Sequence, residues 1–330
     1  MIIAGDIGGT KTNVALFESE GLRLDRIVAQ RSYPSAKYAS LEDIIREFVA
    51  ELTPRVTHAC FGVAGPVKEG RVEATNLAWD VSAESLASAL GVDRVTLIND
   101  LEATAYGVEV LQPSQFYTLN RGAEGAHGHR ALIAAGTGLG MAGLFWDGRH
   151  YRPMPSEGGH IDFAPRSERE YDLLEYMREK LGGRRVSYER VLSGPGLFNI
   201  YGFLRDRGHY EEPAWLADEV KAGDPSAAVA RAGLAAKSEL AAASLEMFST
   251  IYGSMAGNLA LIMLPTGGLY VGGGIAPKII EKLKDGSFLK AYLDKGRMSP
   301  VVEAIRACVI LDDKTALYGA GRAALLHAGG

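Results

Sequence analysis

Twice in this chain an apolar run of strand length breaks at a glycine- and threonine-bearing turn and then resumes. The first copy is Met1–Ala4, then Gly5-Asp6-Ile7-Gly8-Gly9-Thr10-Lys11-Thr12-Asn13, then Val14–Phe17. The second is Arg130–Ala135, then Gly136-Thr137-Gly138-Leu139-Gly140, then Met141–Trp146. Each reads as two antiparallel strands joined by a tight turn. A unit repeated in type, if not in letters, constrains the chain to two related domains. After the first copy the pattern predicts a third antiparallel strand over Leu22–Tyr33, a helix over Leu41–Leu52 and a buried strand over His58–Val63. A short strand over Val72–Asn76, a helix over Ala83–Leu90 closed by Gly91, and a strand over Val95–Ile98 running into a helix from Leu101 to Val110 follow. Strands first, then alternating helix and strand, describe an α/β domain with a mixed sheet.

The pattern pauses between Gly107 and Pro113, and the second round starts. His127 and His129 fall in a Gly-rich loop over Asn120–Arg130 and read as solvated, because no Cys, Asp or further His stands beside them as a metal ligand. Beyond Trp146 the chain is mostly helical: Glu170–Leu181, Ser187–Leu192, Pro195–Asp206, Ala214–Ala222 and a long core helix over Ala227–Leu264, with a break expected near Gly233 or Gly253. A strand at Leu269–Val271 leads into Gly272-Gly273-Gly274, followed by a helix over Pro277–Leu283, a strand over Ile305–Leu311 and an Ala-rich helix over Tyr318–Leu326. The expected division is a small α/β domain over 1–110, completed by about 315–330, and a large one over 111–314 enlarged by helices.

A formal charge of −5 argues against a nucleic-acid partner, which calls for a basic surface. It also means that an anionic ligand must be held by backbone amides and a metal rather than by the overall field. Cys60 and Cys308 stand alone in apolar runs, which fits a reducing compartment and no disulfide scaffold. Leu259–Leu264 stops at Pro265, too short to span a bilayer, and no secretory leader is visible, so a cytoplasmic protein without a membrane partner is expected.

Gly8 and Gly9 permit positive φ and close backbone approach, so successive N–H groups can face one concavity. Thr10, Lys11 and Thr12 add donors suited to a polyphosphate, while Asp6 would repel one unless a cation stood between them. That combination suggests a magnesium nucleotide, although the same letters fit an ordinary tight hairpin. Lys11 comes one position too early for a Walker A loop. Gly138-Leu139-Gly140-Met141-Ala142-Gly143 matches a dinucleotide fingerprint, but strand rather than helix follows it, which removes a Rossmann site. With Gly272-Gly273-Gly274, three Gly-rich turns each follow an apolar strand: two candidate phosphate clamps and a nucleoside-facing turn. Asp100 ends one strand and starts a helix, where an α/β sheet binds ligands, yet Asn99 and Asp100 also suit a helix N-cap. Glu157 and His160 flank two glycines that let both side chains reach one polyol.

In this order and spacing the motifs resemble bacterial glucokinases of the non-zinc type, within the sugar kinase, Hsp70 and actin superfamily. Those that carry the resemblance are Gly5–Asn13, Leu97-Ile98-Asn99-Asp100, Gly136–Gly140, Glu157-Gly158-Gly159-His160, Glu189–Leu197 and Gly272-Gly273-Gly274-Ile275. The resemblance implies two ribonuclease-H-like domains flanking a ligand cleft that closes on the sugar. It implies ATP and Mg²⁺ as cofactors, glucose as substrate and a homodimer as the assembly. By resemblance Asp100 is the general base for the glucose 6-hydroxyl, and Asn99, Glu157, His160 and Glu189 bind the sugar. Gly8, Gly9, Thr10, Lys11, Gly136, Thr137 and Gly138 are expected near the phosphates, Gly273 and Gly274 near adenosine, and Asp6 near the metal through water. A kinase of another hexose or an N-acetylhexosamine remains an alternative on the same fold. A superfamily ATPase would lack the Glu-Gly-Gly-His set, and a sugar-sensing repressor would need a helix-turn-helix that is not expected ahead of a first strand at Met1.

Overall fold

Ile2, Ile3 and Ala4 are all buried, so the first strand is covered on both faces and belongs inside a sheet. The structure, a computed structural model, describes residues 1–50, 52, 55–73 and 79–328. In chain order it begins with β1 (Ile2–Ile7), β2 (Lys11–Glu20), β3 (Arg23–Pro34), α1 (Leu41–Ala50), β4 (His58–Val63), β5 (Arg71–Glu73) and β6 (Asp80–Ser82). There follow α2 (Ala83–Leu90), β7 (Val95–Asn99) and α3 (Asp100–Gly107). Then come β8 (Phe116–Asn120), β9 (Arg130–Ala135), β10 (Leu139–Trp146), β11 (Tyr151–Ser156), α4 (Glu168–Lys180), α5 (Gly194–Asp206), α6 (Ala214–Ala222), α7 (Pro225–Leu234) and α8 (Glu239–Met263). The chain ends with β12 (Leu269–Gly272), α9 (Ile280–Lys284), α10 (Ser287–Leu293), α11 (Ser299–Glu303), β13 (Ala307–Ile310) and α12 (Thr315–Ala328). Two compact units emerge, one of residues 1–113 with 312–330 and one of 114–311.

In the first unit the sheet order is β3-β2-β1-β4-β7, antiparallel from β3 to β1 and parallel from β1 to β7. Strand alternation divides its core. Ile3, Ile7, Phe61 and Val63 pack with Ile44, Phe48 and Leu86 of the helices α1 and α2, while Ile2, Ala4 and Cys60 pack with α3 and α12. The second face needs unusually close backbone contact. A Cβ on Gly319 would lie 1.7 Å from the Ala103 carbonyl oxygen, and one on Gly107 would lie 2.1 Å from that of Thr315. Glycine at both positions lets α12 clasp α3, and so fixes where Asp100 begins that helix.

In the second unit the order is β11-β10-β9-β12-β13-β8, with β9, β12 and β13 parallel. The ends of β9 and β12 therefore lie side by side, which brings two of the three Gly-rich turns together. Its core joins Ile133, Val271 and Val309 to α5, α7, α8 and α10. Gly253, expected as a possible break, is instead a packing residue: a Cβ there would lie 2.1 Å from the Phe288 carbonyl oxygen. The long core helix breaks after Leu234, where Ala236 takes a left-handed φ of 50° and Ser238 caps α8 by accepting from the Ala241 N–H.

Other expectations shift. The helix predicted over Ser187–Leu192 is only a 3₁₀ turn at Tyr188–Arg190. The one predicted from Pro277 starts at Ile280. For the strand predicted over Val72–Asn76, β5 ends at Glu73, and Ala74, Thr75 and Asn76 lie outside the described residues. His129 is only half-exposed: its Nδ1 accepts from the Trp146 N–H at 3.0 Å and its ring stacks on Phe145 at 4.7 Å. Strand β11 escaped prediction because Pro153 and Pro155 interrupt it, which only an edge strand tolerates. Among the described residues no helix is long and apolar enough to cross a membrane.

The α3–α12 contact yields a prediction. Gly319→Ala must push the two helices apart, and such overpacking costs about 1–3 kcal/mol. Urea unfolding of the variant should show that loss; wild-type stability would contradict the contact.

Candidate functional site

In the first unit the hairpin turn is shorter than the sequence suggests, because Gly5–Ile7 and Lys11–Asn13 already belong to the paired strands. The Gly8 N–H donates to the Lys11 carbonyl at 3.1 Å, and Ser35 braces the turn by donating from Oγ to the Gly8 carbonyl at 2.8 Å. Neither Gly8 nor Gly9 takes a positive φ; Gly8 matters for space, since a Cβ would lie 3.1 Å from the Lys11 carbonyl oxygen. The N–H groups of Gly9 and Thr10 make no hydrogen bond to another described residue, and the Thr10 and Lys11 side chains are exposed. Two successive donors are thus left for an acceptor from outside.

Asp6 stands on β1 beside this turn, its Oδ2 accepting weakly from Asn13 Nδ2 at 3.4 Å. Burial pushes its carboxyl up to about 6, and the Asp100 and Asp313 carboxylates add to the rise while Asn13 and Lys11 oppose it. Asp313, just ahead of α12, was not singled out from sequence; nothing in its letters marks it, since only the return of the chain to this unit brings it near Asp6. Ser35 was missed because only the pairing of β2 with β3 brings it back to the turn. Asn99 is the N-cap of α3, its Oδ1 accepting from the Leu101 N–H at 2.9 Å and its Nδ2 donating to the Gly65 carbonyl at 3.1 Å. Asp100 follows as the first helical residue, with Oδ1 also accepting from the Leu101 N–H at 2.9 Å. Burial raises its carboxyl above the ordinary range despite that bond. Asn99 is the N-cap, and both residues share the Leu101 N–H, so the helix start does not rest on Asp100 alone.

In the second unit the turn between β9 and β10 is held from several sides. The Gly136 N–H donates to the Gly138 carbonyl at 2.9 Å, and the Gly194 N–H donates to the Gly136 carbonyl at 2.8 Å. The buried Tyr252 hydroxyl accepts from the Ala135 N–H at 3.3 Å and lies 3.3 Å from the Gly272 carbonyl, tying together the strands that carry both turns. The Thr137 and Gly138 N–H groups make no hydrogen bond to another described residue. Gly273 is the one turn glycine whose conformation demands glycine: its φ is 82°, and a Cβ would lie 2.3 Å from the Ala135 carbonyl oxygen. Gly274 beside it is exposed.

Glu157, His160 and Glu189 gather around Leu139 in the same unit. Glu157 Oε2 lies 3.8 Å from His160 Nε2, and both side chains are exposed. A Cβ on Gly159 would lie 1.9 Å from the Leu139 carbonyl oxygen. Glu189 Oε2 accepts from the Leu139 N–H at 3.0 Å, and a bridge between Asp162 and Ser187 joins the two segments. Two carboxylates and an imidazole near a turn with free amides can hold hydroxyls beside an anion.

A family model described as Glucokinase matches residues 3–327. A relative named Glucokinase from Nostoc punctiforme is 41% identical over 332 residues, covering 97% of each chain. The crystal structure of a glucokinase from an Antarctic psychrotroph superposes with a TM-score of 0.84 at 30% identity, covering 98% of each chain. The glucokinase of Balamuthia mandrillaris in complex with glucose shares the fold, with a TM-score of 0.80 at 23% identity over 100% of this chain and 93% of that one.

The buried Asp6 has a measurable signature in the nucleotide- and magnesium-free protein. A carboxyl raised from 3.8 to about 6 on folding costs nothing below the lower value, and its cost grows until the pH passes the upper one. Asp6→Asn removes the ionisation, so it should stabilise the protein by about 3 kcal/mol above pH 6 and not at all below pH 4. Denaturant titrations at several pH values check this; a difference independent of pH would contradict it.

Proposed function

This chain belongs to the glucokinase family, and on that premise we propose that Asp100 is the base of an ATP-dependent phosphorylation of glucose to glucose 6-phosphate. The observation that carries this role is the position of Asp100: a partly buried carboxylate at the end of a parallel strand, its helix already capped by the neighbouring Asn99. Phosphoryl transfer asks little covalent work of a protein; it needs a placed hydroxyl, a proton acceptor and charge stabilisation. Asp100 takes the proton of the glucose 6-hydroxyl as the hydroxyl oxygen bonds the γ-phosphorus and the bond from that phosphorus to the leaving ADP breaks. Burial raises the basicity of the carboxylate, which suits proton acceptance late in a loose transition state.

Glu157, His160 and Glu189 accept and donate hydrogen bonds to the sugar hydroxyls, and Asn99 adds its amide. The free amides of Gly9 and Thr10, with Lys11, and those of Thr137 and Gly138 hold phosphate oxygens, and Gly273 and Gly274 lie along the adenosine. A Mg²⁺ ion fits Asp6, where the carboxylates of Asp100 and Asp313 build up negative charge that a cation relieves. Among the described residues no trio of His, Cys, Asp or Glu could hold a metal ion, so phosphates and water would supply most of its ligands, with Asp6 holding it through water. When bound, the ion neutralises charge on the transferring phosphoryl group.

Asp100→Asn tests the assignment. Asparagine fits the first turn of a helix and can still hydrogen-bond the sugar, but it cannot take the proton. The variant should fold as the wild type does and lose about 10²–10⁴-fold in kcat, with glucose KM changed much less. A kcat near the wild-type value would remove Asp100 from the mechanism.

A further inference from the structure

The Glu189 side chain does something that a sugar ligand alone need not do. Its Oε2 accepts from the Leu139 N–H at 3.0 Å, inside the Gly-rich turn that leaves the Thr137 and Gly138 amides free. Its Oε1 makes no hydrogen bond among the described residues. The approach depends on a missing side chain, because a Cβ on Gly138 would lie 2.6 Å from Glu189 Oε2. The backbone of Glu189 is fixed in turn. Ser193 Oγ donates to its carbonyl at 2.7 Å while accepting from the Gly196 N–H at 3.0 Å, and the adjoining Gly194 N–H donates to the Gly136 carbonyl at 2.8 Å.

One short segment, Glu189–Gly194, therefore grips the turn at both ends, by a carboxylate at Leu139 and by an amide at Gly136. A carboxylate beside a phosphate site is electrostatically adverse, so its presence there calls for a compensating task. We propose that Glu189 is a positioning residue for the nucleotide: its Oε2 holds the Leu139 peptide so that the Thr137 and Gly138 amides face the phosphates, while its Oε1 serves a sugar hydroxyl. This rests on reading Gly136–Gly140 as a phosphate turn. One side chain then spans both substrates, and filling its sugar side stiffens the turn that holds the nucleotide.

The test separates the acceptor from the charge. Glu189→Gln keeps an oxygen for the Leu139 N–H, whereas Glu189→Ala removes it. ADP and glucose affinities are measured separately by calorimetry, with folding checked by circular dichroism and thermal midpoint. Glu189→Ala should weaken ADP binding about tenfold, the cost of losing the hydrogen bond that holds the turn, and Glu189→Gln should restore it to within about twofold while glucose binding stays impaired. Unchanged or tighter ADP binding in Glu189→Ala, or equal losses in both variants, would overturn the proposal. Gly138→Ala placed in the Glu189→Ala background tests the turn itself, because its methyl no longer meets a carboxylate. A further loss of ADP affinity keeps the turn at the phosphate, and no loss would overturn both the turn reading and the proposal. If Glu189→Ala does not fold, ADP binding by Glu189→Gln alone decides: retention supports the positioning role, and a tenfold loss contradicts it.

Discussion

Close backbone approach is the constraint on which the rest of this structure depends. A helix can lie against another helix at a peptide's thickness only where no Cβ intervenes, and Gly319 against Ala103 and Gly253 against Phe288 are such places. The same geometry recurs in the turns. Gly273 sits on the Ala135 carbonyl, Gly159 on that of Leu139, and Gly138 against the Glu189 carboxylate. In the helices the contact sets where a functional residue starts; in the turns it sets which amides remain unpaired. In both units the turns leave amides that water or an anion can meet.

Electrostatics supplies the second half of the design. Asp6 and Asp100 are partly desolvated and Asp313 adds its charge, which concentrates carboxylates in the first unit. Carboxyl groups perturbed in this way are common where a protein does chemistry. The second unit is arranged differently. Its Glu157 and His160 side chains remain exposed, and only Glu189 is drawn into the fold by a backbone partner.

Local features carried most of what could be read from sequence. Arg130–Ala135, Ala83–Leu90 with its Gly91 cap, and Leu269 into the glycine turn are each written in apolar runs bounded by breakers, and they lie where those letters put them. Motif letters likewise singled out Asp6, Asp100, Glu157, His160 and Glu189. Illegible were features that depend on distant partners: Ser35 bracing the first turn, Asp313 returning to Asp6, and the Glu189 bond to Leu139. The break between α7 and α8 falls beside Gly233, one of the two glycines expected to mark it, and the Ser238 cap starts the second helix. Strand β11 was masked by prolines that its edge position accommodates.

The proposed reaction needs turns that hold an anion and a base that acts only on a bound sugar. ADP release measured with ATP and magnesium, in the presence and absence of glucose, tests it most directly. Slow release without sugar and strong stimulation by glucose are expected, with glucose 6-phosphate formed in step with ADP. Equal ADP release with and without glucose would contradict it and mark the protein as an ATPase of the same fold.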